Sequence, residues 1–231
     1  MNRAQTMNLR VVEIVAKALE EINDEVIYVG GAIIGLYATE DGADQPRPTT
    51  DIDITVQIST YSQMDELRER LANKKIYPAP EETNMYRYTY EDVFIDVIPI
   101  DDTPLGPTNR WFKPGFEQAY PVTIGNKEIR LLPVSLFLAT KWEAYMNRGD
   151  DPRTSHDFED IIYVFDNNLN LLEDVSRAEK DVQDFLKEMS KEILSDSSVN
   201  EIIECHLNSI TEEERSELII EKLEHIEKIT Q

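Results

Sequence analysis

Cysteine occurs once in 231 residues, at Cys205. One thiol excludes an internal disulfide and cannot make a cysteine zinc site, so a reducing compartment, the cytoplasm, is the expected location. No apolar run approaches the ~20 residues of a membrane span, and the N-terminal stretch MNRAQTMNLR lacks the apolar segment of an export signal. A soluble, unexported protein without a membrane partner is expected. Basic residues are also scarce: 23 Lys and Arg face 46 Asp and Glu, a formal net charge of −23. That charge repels a polyanionic backbone at long range and excludes bulk DNA binding. Internal repeats and low-complexity tracts are absent.

The acidity is uneven. Residues 171–231 hold 17 acids and 7 bases, whereas residues 103–157 hold 7 bases (Arg110, Lys113, Lys127, Arg130, Lys141, Arg148, Arg153) and 6 acids. A phosphate-bearing substrate is expected to face that middle segment.

Hydrophobic spacing organises the chain. Val11, Val12, Ile14, Val15, Ala18 and Leu19 recur at helical intervals and predict an amphipathic helix over 8–22, leading into the strand VIYVGG. AIIGLYA after it suits a short helix, and TEDGADQPRP carries loop signals, as an insertion would. From Asp51 the alternation is strict: Asp51, Asp53, Thr55 and Gln57 on one face, Ile52, Ile54, Val56 and Ile58 on the other. A helix over 61–72, a hairpin of YRYTYED with VFIDVIPID, and another of YPVTI with KEIRLL follow. Beyond Pro133 the pattern is helical, and Thr211 with Glu214 fits a capping box opening the last helix. The expected class is α/β or α+β, with a core over 1–132 and a helical domain over 133–231.

Asp51 and Asp53 project from one strand face about 7 Å apart, able to converge on a metal pair spaced ~3.5–4 Å. Magnesium takes hard oxygen ligands and keeps other positions for water and nucleotide phosphates. Asp96, inside the apolar run VFIDVIPI, is the candidate third ligand, because an ionised group there is costly unless paired or metal-bound. The alternative for Asp96 is pairing with a lysine or arginine. Gly30 and Gly31 let backbone approach phosphate oxygens, or else make a tight strand-to-helix turn.

The order Gly30-Gly31, a helix, Thr50-Asp51-Ile52-Asp53 entering a strand, then Asp96 on a later strand, resembles the nucleotidyltransferase fold of the DNA polymerase beta superfamily. Nineteen residues separate Gly31 from Asp51, more than the compact version has, and the EDGADQP loop accounts for the excess. LATKWEAYMNRGDDPRTSHDFEDIIYV resembles a stretch of AbiEii-type nucleotidyltransferases, a toxin-like family, in which a helical lysine is followed by an arginine and by Asp-x-x-Asp on the next helix. Here these are Lys141, Arg148, Asp157 and Asp160. LGPTNRWFKPGF is similar to a segment in a bacterial branch of that family, and the resemblance spans roughly residues 8–170.

The resemblance implies a mixed sheet with flanking helices and transfer of a nucleoside monophosphate from a nucleoside triphosphate to an acceptor hydroxyl, with two Mg2+ ions on Asp51, Asp53 and Asp96. It implies Lys141 near the triphosphate, where an ammonium offsets charge on the leaving pyrophosphate, and Asp157 positioning Lys141 or touching the nucleotide. Arg148 shares a helix face with Lys141 and contacts the nucleotide, or both cations pair with Asp157 and Asp160 to fasten two helices. Arg47 and Thr50 touch phosphates or fix the loop. Asn109-Arg110-Trp111 makes an acceptor pocket or a buried tryptophan beside a salt bridge, and His156 reads as a surface residue. A tRNA 3′ end or a protein side chain is the expected acceptor, with an antitoxin as possible partner. The competing classes are a non-catalytic nucleotide-binding or interaction protein, a small-molecule (antibiotic) nucleotidyltransferase, and a metal-dependent glycosyltransferase, which the glycine pair and Asp96 fit poorly.

Overall fold

A computed structural model describes residues 3–80, 86–101, 108–207 and 212–229. Leu105, Gly106 and Pro107 of the LGPTNRW run, and Thr211 of the expected capping box, lie outside these residues. The chain forms two compact units, Met1–Gly35 with Gln45–Pro133, and Leu36–Asp44 with Val134–Gln231. Among the described residues no helix is long and apolar enough to cross a membrane.

The first unit is built on a mixed seven-stranded sheet. Helix α1 (Arg3–Leu19) buries Val12, Val15, Ala16 and Leu19 against it; of the residues whose spacing predicts the helix, Val11, Ile14 and Ala18 are only half-buried. A 3-10 segment, Glu20–Glu25, replaces the end of the expected helix. It leads into β1 (Val26–Val29), wholly buried, and Tyr28 donates its hydroxyl to Asn23 at 2.8 Å. A second 3-10 turn, Gly31–Leu36, stands where the short helix is expected. Next come β2 (Asp51–Val56) and α2 (Tyr61–Asn73), whose Thr60 and Gln63 form a reciprocal capping box. Then follow β3 (Tyr77–Pro78), β4 (Arg87–Tyr90), β5 (Val93–Pro99), α3 (Phe112–Gln118), β6 (Tyr120–Ile124) and β7 (Lys127–Leu131).

The strand order is β3-β4-β5-β2-β1-β7-β6. The hairpins β4–β5 and β6–β7 form as the sequence predicts, while β2 runs parallel to β5 and β1 parallel to β7. Along β2, Ile52, Ile54 and Val56 are buried, and Asp51 and Asp53 are half-buried. Thr55, expected on the open face with the aspartates, is buried as well. The polar face of β2 is therefore accessible only at its first three residues.

The second unit is helical: α4 (Val134–Arg148), α5 (His156–Asn167), α6 (Leu171–Ser176), α7 (Lys180–Ser195), α8 (Val199–Glu204) and α9 (Glu212–Glu227). Val182, Leu186, Met189 and Ile193 of α7 and Ile219, Leu223 and Ile226 of α9 are buried at three- and four-residue intervals, and the two helices pack together. Residues 36–44 belong to this unit and are pinned by its side chains. Asn168 donates to the Tyr37 carbonyl at 2.8 Å, Tyr163 donates to the Asp44 carbonyl at 3.1 Å, and Arg215 reaches Asp44 at 3.2 Å and Asp166 at 2.6 Å. Desolvation pushes the Asp166 carboxyl up from its ordinary value, and Arg215 opposes that shift.

Candidate active site

Strand directions explain how the expected residues of the first unit meet. β1 and β2 are antiparallel with Val29 beside Asp53, so the glycines ending β1 stand next to the aspartates opening β2. β2 and β5 are parallel with Asp53 opposite Asp96. Asp51, two residues earlier on the same face as Asp53, completes a group of three carboxylates.

Gly30 is required on two counts. Its φ is +76°, a conformation that L side chains rarely adopt, and a Cβ there would lie 1.8 Å from Asp53 Oδ2. The Asp53 carboxylate thus rests against bare glycine backbone. Gly30→Ala is expected to lower stability by about 1–2 kcal/mol from the left-handed backbone alone, and to displace Asp53. Urea denaturation measures the first effect, and weakened divalent-cation binding the second.

The loop entering β2 is set by a buried asparagine. Asn8 donates to the Arg47 carbonyl at 3.0 Å and accepts from the Thr49 amide at 3.4 Å. The Thr49 hydroxyl in turn donates to Asp51 Oδ1 at 2.7 Å. Sequence reasoning points to Thr50, which is exposed, whereas Thr49 is the threonine that orients Asp51. Arg47 is half-buried in the same loop.

Asp96 is paired. Arg87 on β4, directly across from it in register, donates from Nε to Oδ1 and from Nη2 to Oδ2, both at 2.8 Å. Nη2 also lies 3.3 Å from Asp51 Oδ2. The pairing weighed as the alternative to metal binding is therefore present, at the same place where the carboxylates gather. The donor chemistry fits a hard divalent cation: three carboxylates, partly open at Asp51, with glycine backbone behind one of them. As the side chains stand, with Arg87 across two of the three, no group of three His, Cys, Asp or Glu among the described residues is arranged to hold a metal ion.

In the second unit, Lys141 on α4 meets the Asp-x-x-Asp of α5. Its Nζ lies 2.6 Å from Asp160 Oδ2 and 3.2 Å from Asp157 Oδ1. Arg148, the last residue of α4, pairs with Asp157 Oδ2. The side chains of Lys141, Asp157 and Asp160 are 9%, 5% and 1% exposed, while Arg148 is 60% exposed. Two cations and two anions thus fasten α4 to α5, and Arg148 is the member open to solvent. Ser155 caps α5, accepting from the Phe158 amide at 3.4 Å, which fixes where Asp157 projects.

Trp111 is buried, with the Arg110 guanidinium 4.8 Å from its ring centroid. His156 is exposed and pairs with Glu159 at 3.2 Å.

A comparison with curated proteins gives no match. Among solved structures, an antigenic nucleotidyltransferase-like protein from Paracoccidioides brasiliensis aligns at 15% identity and TM-score 0.49, covering 87% of this chain and 94% of that one. The antibiotic-resistance factor ANT(2'')-Ia aligns at 12% identity and TM-score 0.49, covering 83% and 95% respectively. JHP933 from Helicobacter pylori aligns at 13% identity and TM-score 0.49, covering 96% and 92%. The family described as "Nucleotidyl transferase AbiEii toxin, Type IV TA system" matches residues 29–227, from the end of β1 to the end of α9. That match takes in the carboxylates of the first unit and the Lys141 cluster of the second, and the chain belongs to the AbiEii nucleotidyltransferase toxin family.

Proposed function

We propose that this nucleotidyltransferase moves a nucleoside monophosphate from a nucleoside triphosphate to an acceptor hydroxyl on a tRNA 3′ end or a protein side chain, as the toxin of a toxin–antitoxin pair. The observation that carries this reading is the convergence of Asp51, Asp53 and Asp96 beside Gly30 on adjacent strands of an AbiEii family member. In the reaction the acceptor oxygen bonds to the α-phosphorus, the bond from that phosphorus to the bridging oxygen breaks, and pyrophosphate departs. Two Mg2+ ions, when bound, would polarise the α-phosphate and neutralise the leaving group.

The protein's own groups do the rest. Asp51, Asp53 and Asp96 would hold the cations, and Asp96, once Arg87 releases it, would take the acceptor proton. Gly30 and Gly31 offer backbone to the phosphates, with Arg47 and Thr50 at the loop entering β2. Lys141 and Arg148 serve the nucleotide's phosphates, with Asp157 positioning both; Arg148, the exposed member, is the one already open to a ligand. A cognate antitoxin is the partner that type IV membership suggests.

Incubating the protein with Mg2+, each α-labelled nucleoside triphosphate, total RNA and cell extract tests the reading. Label entering RNA or protein with release of pyrophosphate is the expected result and names the acceptor class. Nucleotide binding without pyrophosphate release from any acceptor would make the protein a nucleotide-binding interaction module instead.

A further inference from the structure

Arg87 is held in place by three kinds of contact. The β4–β5 hairpin closes on Tyr90 opposite Val93, a register that sets Arg87 opposite Asp96. Its guanidinium grips both oxygens of Asp96 and one of Asp51, and its carbon lies 5.3 Å from the Phe94 ring centroid. A bidentate arginine–carboxylate pair is among the strongest and most directional of polar contacts. Only 13% of the Asp96 side chain and 23% of the Arg87 side chain are exposed, so water screens the pair weakly.

The oxygens that Arg87 occupies are the ones a cation needs. Two of the three carboxylates meet one guanidinium, so the group carries a formal charge of −2 where the bare triad would carry −3. Removing the guanidinium would raise the pull on any cation and free the Asp96 oxygens together. A guanidinium displaced from Asp96 also has a natural acceptor when the incoming cation carries a triphosphate, because phosphate oxygens match its fork as well as a carboxylate does.

We infer that Arg87 is an internal counter-ion that competes with the divalent cation for Asp51 and Asp96, so that the site fills readily only when the cation arrives with a nucleoside triphosphate. This rests on the reading of the three aspartates as cation ligands. Arg87 is in this sense a positioning residue. It holds the carboxylates together before substrate binds, and it couples cation occupancy to nucleotide.

The test is a Mn2+ titration of the full chain, with free Mn2+ followed by electron paramagnetic resonance, alone and with a non-hydrolysable nucleoside triphosphate analogue. The natural sequence is expected to bind Mn2+ weakly alone and much more tightly with the analogue. Arg87→Gln is expected to bind Mn2+ alone at least about tenfold more tightly than the natural sequence, the change in affinity that differential binding of about 1.4 kcal/mol produces, and to gain less from the analogue. Arg87→Lys, which keeps the charge and loses the fork, is expected to fall between the two. Thermal unfolding supplies a second readout: without metal Arg87→Gln should melt below the natural sequence, and Mn2+ should raise its midpoint by more. Equal Mn2+ affinity in Arg87→Gln and the natural sequence would overturn the inference. Repeating the titrations in an Asp51→Asn/Asp53→Asn background separates the two readings. Binding lost there, with Arg87→Gln no tighter, strikes the role of Arg87 alone; binding that persists there removes the cation site itself and the inference with it.

Discussion

Lys141→Ala is expected to destabilise the helical unit by about 3–5 kcal/mol, the usual cost of leaving a buried charge without its partner. Asp160 is 1% exposed and Asp157 5%, so neither carboxylate can recover by turning to water. Arg148 still answers Asp157, but the Asp160 carboxylate loses the ammonium 2.6 Å away. At about 2–4 °C per kcal/mol for a chain of this size, the midpoint of unfolding should fall by roughly ten degrees. The double change Lys141→Met with Asp160→Leu removes both charges and should restore most of the loss, because a buried ion pair replaced by apolar groups is often neutral. That recovery separates the two roles of Lys141. If nucleotide transfer stays low in the restabilised double variant, the ammonium acts on the nucleotide; if transfer returns with stability, Lys141 only fastens α4 to α5.

The reason Lys141 needs such a test lies in how different parts of the chain announce themselves. The alternation over Asp51–Ile58 places both aspartates on one face, because a pleated strand has only two sides. It does not reveal that Thr55 is covered, since that depends on what packs over the sheet. The hairpin register was accessible too. Two residues, Glu91 and Asp92, separate Tyr90 from Val93, and counting outward from that turn sets Arg87 against Asp96. Arg87 and Asp96 stand nine residues apart with the turn between them, so the pair shows in the register and not in the run around either residue. Thr49 escapes for a different reason: its hydroxyl reaches Asp51 only because Asn8, more than forty residues earlier, fixes the loop.

Helix α3 is illegible locally. Phe112-Lys113-Pro114-Gly115 has poor helical propensity, yet proline is tolerated in a first turn. Burial of Phe112 and Phe116 supplies what propensity lacks, and Gly115 meets Leu132 so closely that a Cβ would lie 2.3 Å from its Cδ2. The EDGADQP loop reads as an insertion, but its restraints, Tyr163, Asn167 and Arg215, come from more than a hundred residues downstream. By contrast α7 declares itself, because one buried face against solvent gives a clear period. In α4, Val134 to Trp142 are all buried, which erases that period and leaves Lys141 looking like an ordinary polar residue in an apolar run.

Asp51→Asn with Asp53→Asn is expected to lower nucleotidyl transfer at least about 10^3-fold, since cation stabilisation of the transferring phosphoryl group is worth several kcal/mol and about 1.4 kcal/mol is a factor of ten. The fold should hold. Asparagine keeps the size of each side chain and an oxygen for the Thr49 hydroxyl, and the Arg87 grip on Asp96 is untouched. Removing two like charges from beside a third should even offset the lost contact between Arg87 and Asp51, which at 3.3 Å is the longest of the three that Arg87 makes to the carboxylates. Unfolding midpoints in the absence of metal are therefore expected to agree within a few degrees, while single-turnover transfer from a labelled nucleoside triphosphate collapses. Full transfer by the double variant would remove these carboxylates from the reaction. Lost transfer with an unchanged midpoint leaves chemistry, rather than folding, as what Asp51 and Asp53 supply.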